Sequence, residues 1–189
     1  VDVAAIKSAN LSALSTDQIR ALETEDIFAF STAQIAALTA GQFEALEARH
    51  IVALETADIA GLKTAQVAAL SATQAPSLST ADIVAFSSTQ VAALSTSAIR
   101  ALDTAQLLAL ETADIAALLT SQVAALQDAQ LRALPDTDLR VLKSAQVAAL
   151  SSAQLLALGT YGIEALTSSQ VIAISPANIA RSEEHTSEL

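Results

Sequence analysis

The chain has 189 residues, with nine Lys or Arg against twenty Asp or Glu and a formal net charge of −11. Such an acidic chain offers no basic face for neutralising phosphates, so no nucleic acid partner is expected. The absence of cysteine removes disulfides, thiolate catalysis and Cys-based metal sites. Mean hydropathy is +0.48, yet no uninterrupted apolar run approaches the ~20 residues that span a bilayer, and no membrane insertion is expected.

From Ile6 to Ile174 a leucine-type residue stands at every eighth position without insertion or deletion: Ile6, Leu14, Leu22, Phe30, Leu38, Leu46 and onward to Leu158, Leu166 and Ile174. Counted from that residue, the octad reads Leu, Ser or a charged residue, Thr, a small residue, Gln or Asp, Ile or Val, a variable residue, Ala. Such a period predicts one small supersecondary unit stacked many times. A continuous helix would turn the apolar stripe by about 80° per octad, beyond the reach of any flat partner. A continuous strand would put positions one and six on opposite faces. What remains is one short helix per octad, packed as an all-α solenoid. A turn inside each octad would permit a β-solenoid, which is the alternative.

Position three is Thr, Ser or Asp in most octads, for example Thr16, Thr24, Thr32, Thr56, Thr112, Asp136 and Ser144. These residues cap helix starts, which predicts a helix from position four to the next leucine. Position five then falls in the first turn, where a carboxylate meets the positive helix end and a Gln can reach back in a capping box. Helices this short need stacking for stability. The array is expected to occupy residues 1–180 as a single solenoid whose repeats have their neighbours as partners.

A longer period lies beneath the octad. Asp26, Asp82 and Asp138 are 56 residues apart, as are Asp58 and Asp114, Lys7 and Lys63, and Phe30 and Phe86. Seven octads therefore form a block, repeated over 6–61, 62–117 and 118–173. In the first block, His50 fills position five alone, with no second metal-type ligand in its own helix, and reads as a polar slot filler. The five aspartates read as helix-start residues, because a calcium loop needs more glycine than the four present. In the second block, Leu70 to Ser77 departs from the pattern: Ala72 replaces the cap, Ala75 the core Ile, and Pro76 enters the helix, giving either a defect or a bend. In the third, Leu158 to Ala165 carries Gly159, Tyr161 and Gly162. No Gly-rich phosphate loop and no Ser/His/Asp grouping occurs, so no catalytic, cofactor-binding or metal-binding residue is assigned and no enzyme is expected. If the threonines cap helices, their hydroxyls are committed, which argues against an ice- or carbohydrate-binding ladder.

The last nine residues, Arg181 to Leu189, share neither the spacing nor the composition of the octads. They resemble the conceptual translation of a common short-read sequencing adapter, and are expected to be a non-native or disordered tail. The chain also contains no methionine, which suggests a reading frame cut at both ends.

The strings TAQVAAL at Thr64–Leu70 and SAQVAAL at Ser144–Leu150 resemble octad repeats of long bacterial proteins often labelled haem-utilisation or adhesion proteins. The similarity covers residues 6–180. It implies a stalk, spacer or scaffold in a large secreted or cell-surface protein, and hence an extracellular location. The alternative is a protein- or glycan-binding solenoid whose variable positions two, four and seven form the recognition face. Unusual residues gathered on one side of the coil would favour binding, and a plain surface the spacer.

Overall fold

The computed structural model describes residues 3–175, so the expectation for 181–189 lies outside the described residues. Among the described residues every regular element is helical and no strand occurs, which makes the protein an all-α repeat solenoid. The chain divides into two compact units, Val1–Leu102 and Asp103–Leu189. The first holds α1 (Ser8–Leu11), α2 (Thr16–Arg20), α3 (Thr24–Ala29), α4 (Thr32–Ile35), α5 (Ala40–Glu44), α6 (Ala48–Val52), α7 (Thr56–Gly61), α8 (Thr64–Ala68), α9 (Thr80–Ala85), α10 (Ser88–Ala93) and α11 (Thr96–Ala101), with 3₁₀ turns at Val3–Ala5 and Ala75–Ser77. The second holds α12 (Thr104–Leu108), α13 (Thr112–Ala117), α14 (Thr120–Ala124), α15 (Asp128–Ala133), α16 (Asp136–Val141), α17 (Ser144–Ala148), α18 (Ser152–Ala165) and α19 (Ser168–Ala173).

Each helix starts one residue earlier than the cap pattern predicts. Position two, not position three, is the N-cap: Ser15, Thr39, Ser79, Ser87, Asp103, Ser151 and Thr167 all accept from the amide three residues on. The reason is reach. With the cap at position two, the Gln or Asp at position five becomes the third helical residue, from which a side chain can return to the cap's own amide. The threonines at position three are therefore first helical residues, and capping does not consume their hydroxyls.

Within each unit, helices three octads apart pack on one another, as α2 on α5, α5 on α8 and α8 on α10 in the first, and α12 on α15 and α15 on α18 in the second. Hydrogen bonds reach further, to carbonyls 28 and 31 residues back. One turn of coil thus takes between three and four octads. Positions one and six of successive octads form the core of each unit, from Phe30, Ile35 and Leu38 to Leu94 and Ile99, and from Leu107 and Leu110 to Leu155 and Leu158. Each such side chain contributes about 1.5–3 kcal/mol on burial. In the first turn, Ile6, Leu14 and Leu22 are only half-buried.

Two octads depart from the helix pattern where the sequence departs. At Leu70–Ser77 the proline shortens the helix to the 3₁₀ turn Ala75–Ser77, because Pro76 has no N–H to bond back. The turn still keeps its core contact: Ala75 is buried, and its amide bonds the carbonyl of Ser71 at 3.0 Å, while Pro76 is exposed. At Leu158–Ala165 a kink at Gly159 (φ 65°, ψ −177°) divides α18, replacing the extended cap residue found in the other octads. That φ is open to glycine and costly for any other residue.

Candidate functional site

The chemistry of this coil is concentrated at position five. Polar side chains there are buried from Gln34 onward in the first unit (Gln42, His50, Asp58, Gln66, Gln74, Asp82, Gln90) and throughout most of the second (Gln106, Asp114, Gln122, Gln130, Asp138, Gln146, Gln154, Gln170). Burying an amide is costly unless all its groups are paired. Among the described residues no buried side-chain nitrogen or oxygen lacks a partner.

Buried glutamines such as Gln42, Gln66 and Gln90 work at both ends. The Oε1 accepts the amide of position two in the same octad: Thr39 N–H donates to Gln42 at 2.8 Å, Lys63 to Gln66 at 2.9 Å, and Leu119 to Gln122 at 2.6 Å. The Nε2 donates to the position-one carbonyl of an earlier turn and in several cases to that of position six as well, while Gln146 reaches Leu118 alone and Gln154 bonds Ala124 and Leu126. Gln66 bonds Ile35 and Leu38 at 2.8 and 3.1 Å, and Gln90 bonds Ile59 and Leu62 at 3.1 and 2.9 Å. The position-one carbonyls belong to the set a helix end leaves open, whereas those of position six, such as Ile35 and Ile59, already accept one amide, from Leu38 and Leu62, and take the glutamine as a second donor. Lys63, Leu119 and Lys143 at position two provide no capping oxygen, yet their amides are held by Gln66, Gln122 and Gln146. The device is the glutamine, and position two is free to vary.

His50 occupies the same slot as the glutamines. Fully buried, it accepts the Glu47 amide on Nδ1 at 3.0 Å and directs Nε2 at the Leu22 carbonyl at 2.8 Å, 28 residues back. The proton therefore resides on Nε2. The aspartates take a different partner, having no donor of their own. Asp58 and Asp82 accept the amides of Glu55 and Ser79 on one oxygen, and the hydroxyls of Thr32 and Thr56 on the other, at 2.7 and 3.1 Å. Asp138 likewise accepts from Thr112 at 2.8 Å, while its own cap is Pro135, which has no amide to offer. The sequence reading did not find these pairs, which lie 26 residues apart; the 56-residue aspartate period was their visible trace.

Where position five is Ala98, the polar bond is supplied otherwise. Ser95 caps the Ala98 amide at 3.1 Å and turns its hydroxyl to the Leu70 carbonyl at 3.4 Å, the group a glutamine at 98 would have taken. At Leu70–Ser77, Gln74 keeps the full set, donating to Phe43, Glu44 and Leu46. Among the described residues no group of three or more His, Asp or Glu is placed to hold a metal ion. Tyr161, the sole tyrosine, is exposed. On the surface, Arg49 pairs with Glu23 at 3.3 Å and Glu47 at 2.9 Å; the Glu47 hydrogen bond holds the guanidinium pKa above its ordinary value.

These features define a class: a helical tandem-repeat protein whose internal polar groups are committed to holding octad to octad. The ALTTAQ repeat family model matches residues 1–27, 19–54, 51–88, 75–110, 83–118 and 136–168, and the chain belongs to that family. No curated protein and no solved structure matches it.

Proposed function

We propose that this chain is a non-catalytic spacer or scaffold segment of a larger secreted or cell-surface bacterial protein, in which the number of octads sets a distance. One observation carries the reading. The chemically capable side chains of the interior, Gln, Asp and His50 at position five, are engaged with the chain's own amides, carbonyls and threonine hydroxyls. They build a coil rather than a pocket. The 56-residue blocks 6–61, 62–117 and 118–173 are the unit by which such a spacer would lengthen, by duplication of seven octads.

The test is dimensional. Variants with one added or one removed block should change in maximum dimension by equal increments in small-angle scattering. Unequal steps, or an unchanged dimension, would overturn the spacer reading.

A further inference from the structure

We propose that His50 makes the coil of the first unit acid-sensitive at one octad: uptake of a proton by its ring at mildly acidic pH breaks the bond that starts α6 and frees that helix from the turn before it. The inference goes beyond the spacer reading and does not depend on it.

In every other octad position five is Gln, Asn, Asp, Ala or Gly, so His50 is the one base in the series. Its side chain is fully buried, and each ring nitrogen has a partner: Nδ1 accepts the Glu47 amide at 3.0 Å, and Nε2 faces the Leu22 carbonyl at 2.8 Å. A neutral imidazole meets both demands, one nitrogen accepting and the other donating. An imidazolium donates at both, so a proton on Nδ1 stands against the Glu47 N–H. Either the amide is left buried without its acceptor or the ring turns out of the slot, and turning out gives up the Leu22 carbonyl as well. A glutamine octad meets no such choice, because a carboxamide does not titrate.

No carboxylate bonds the ring in the slot. Helix α6 packs on α3 and on the 3₁₀ turn Ala75–Ser77. The α3 side carries Glu23, Glu25 and Asp26, and the 3₁₀ turn has no charged residue. Glu47 and Arg49 stand on α6 itself, and Glu44, Glu55 and Asp58 on the helices before and after it. Glu23 and Glu47 pair with Arg49, Asp26 accepts the Glu23 amide, and Asp58 accepts the Glu55 amide and the Thr32 hydroxyl. Glu25, Glu44 and Glu55 are exposed. The sign follows. An opened octad offers its ring to solvent, where histidine takes up a proton as the pH falls below about 6.5, whereas the closed octad holds the proton only by losing its cap. The closed form is therefore favoured above about pH 7 and loses ground as the solution is acidified.

The test is native-state amide exchange of the full chain, read by NMR at about pH 7.5 and about pH 5.5, an interval above the range in which carboxylates ordinarily change charge. With rates corrected for the intrinsic pH dependence of exchange, protection at the Glu47 and Ile51 amides should fall about tenfold, the factor by which protonation of an ordinary histidine favours the opened form across that interval. The Lys63 and Val67 amides, which belong to the Gln66 octad, should change far less. His50→Gln installs the slot's commonest residue and keeps the chain's other histidine, His185, and it should abolish the fall. Gln66→His should carry a like fall to Lys63 and Val67; where that variant does not fold, the His50→Gln comparison decides alone. The proposal is overturned by unchanged protection at Glu47, by a fall that persists in His50→Gln, by an equal fall at Lys63 in the parent chain, or by a ring-nitrogen spectrum at neutral pH that places the proton on Nδ1.

Discussion

A single buried glutamine in this coil holds three backbone groups, one of which, the Ile35 carbonyl, also accepts the Leu38 amide at 3.2 Å. Gln66 accepts the Lys63 amide and donates to Ile35 and Leu38 carbonyls, with 1 % of its surface exposed. Gln66→Ala would leave the Lys63 amide and the Leu38 carbonyl without their partner and the Ile35 carbonyl with one bond of two, and should cost on the order of 3 kcal/mol in urea denaturation. Gln66→His should cost less, since the histidine at the equivalent place, His50, keeps the cap bond and one carbonyl bond. Equal losses for the two variants would show that side-chain volume, not bonding, decides the site. Gly61 tests the aspartate pairing. Although alanine normally stabilises a helix relative to glycine, a Cβ there would stand 2.7 Å from Cγ2 of Thr32, whose hydroxyl is held on Asp58. Gly61→Ala should therefore lower the melting temperature, and a rise would show that Thr32 can turn without losing its bond. The cap half of the glutamine's role was legible in sequence, because its three-residue spacing is local. The carbonyl half was not, because its partners lie 28 and 31 residues away and are backbone, which leaves no mark on side-chain identity.

At the scale of the element, the helices other than the kinked α18 have four to six residues, far below the length that is stable in isolation. Their existence was readable from the octad arithmetic, which excludes both a long helix and a continuous strand. Their starting residue was not, because Thr at position three and Ser at position two are equally good caps by type; only the geometry of the position-five side chain selects between them. The irregular octads follow the same logic. Gly159 has open space where a Cβ would be, so substitution there meets only the backbone penalty of φ 65°. Gly159→Ala should cost about 1–2 kcal/mol in thermal denaturation while preserving helical circular dichroism. A neutral outcome would mean that the kink straightens into the extended cap used by other octads. Gly162, by contrast, is sterically closed: a Cβ would come within 2.9 Å of Leu158 Cβ.

At the scale of the molecule, the two kinds of position-five residue have different tolerance to a change of register. Gln addresses carbonyls, which every octad presents in the same place. Asp addresses a hydroxyl, which only some octads have. Deleting residues 62–69 would bring Ala48 opposite Asp82 in place of Thr56, while leaving Gln90 with the carbonyls of Ile51 and Leu54. Such a deletion should remain helical but melt at a lower temperature, and adding Ala48→Thr should recover part of the loss. No recovery would remove the Thr–Asp pairs as determinants of register. Thr56 and Thr112, and Asp82 and Asp138, stand one 56-residue block apart, so adding or removing an internal block keeps a threonine opposite the aspartate.

The joining of cap and tie in one side chain has a mechanical consequence. A helix drawn away from the preceding turn loses the carbonyl bonds of its glutamine, and with the side chain displaced, the hydrogen bond that starts the same helix goes too. Separation and melting are therefore one event for each octad. Under tension such a coil yields in discrete steps, each releasing about eight residues of extended chain at ~3.3–3.6 Å per residue, and it resists until a step begins. A spring held only by apolar contacts would lengthen gradually before any helix was lost; this one behaves as a row of latches.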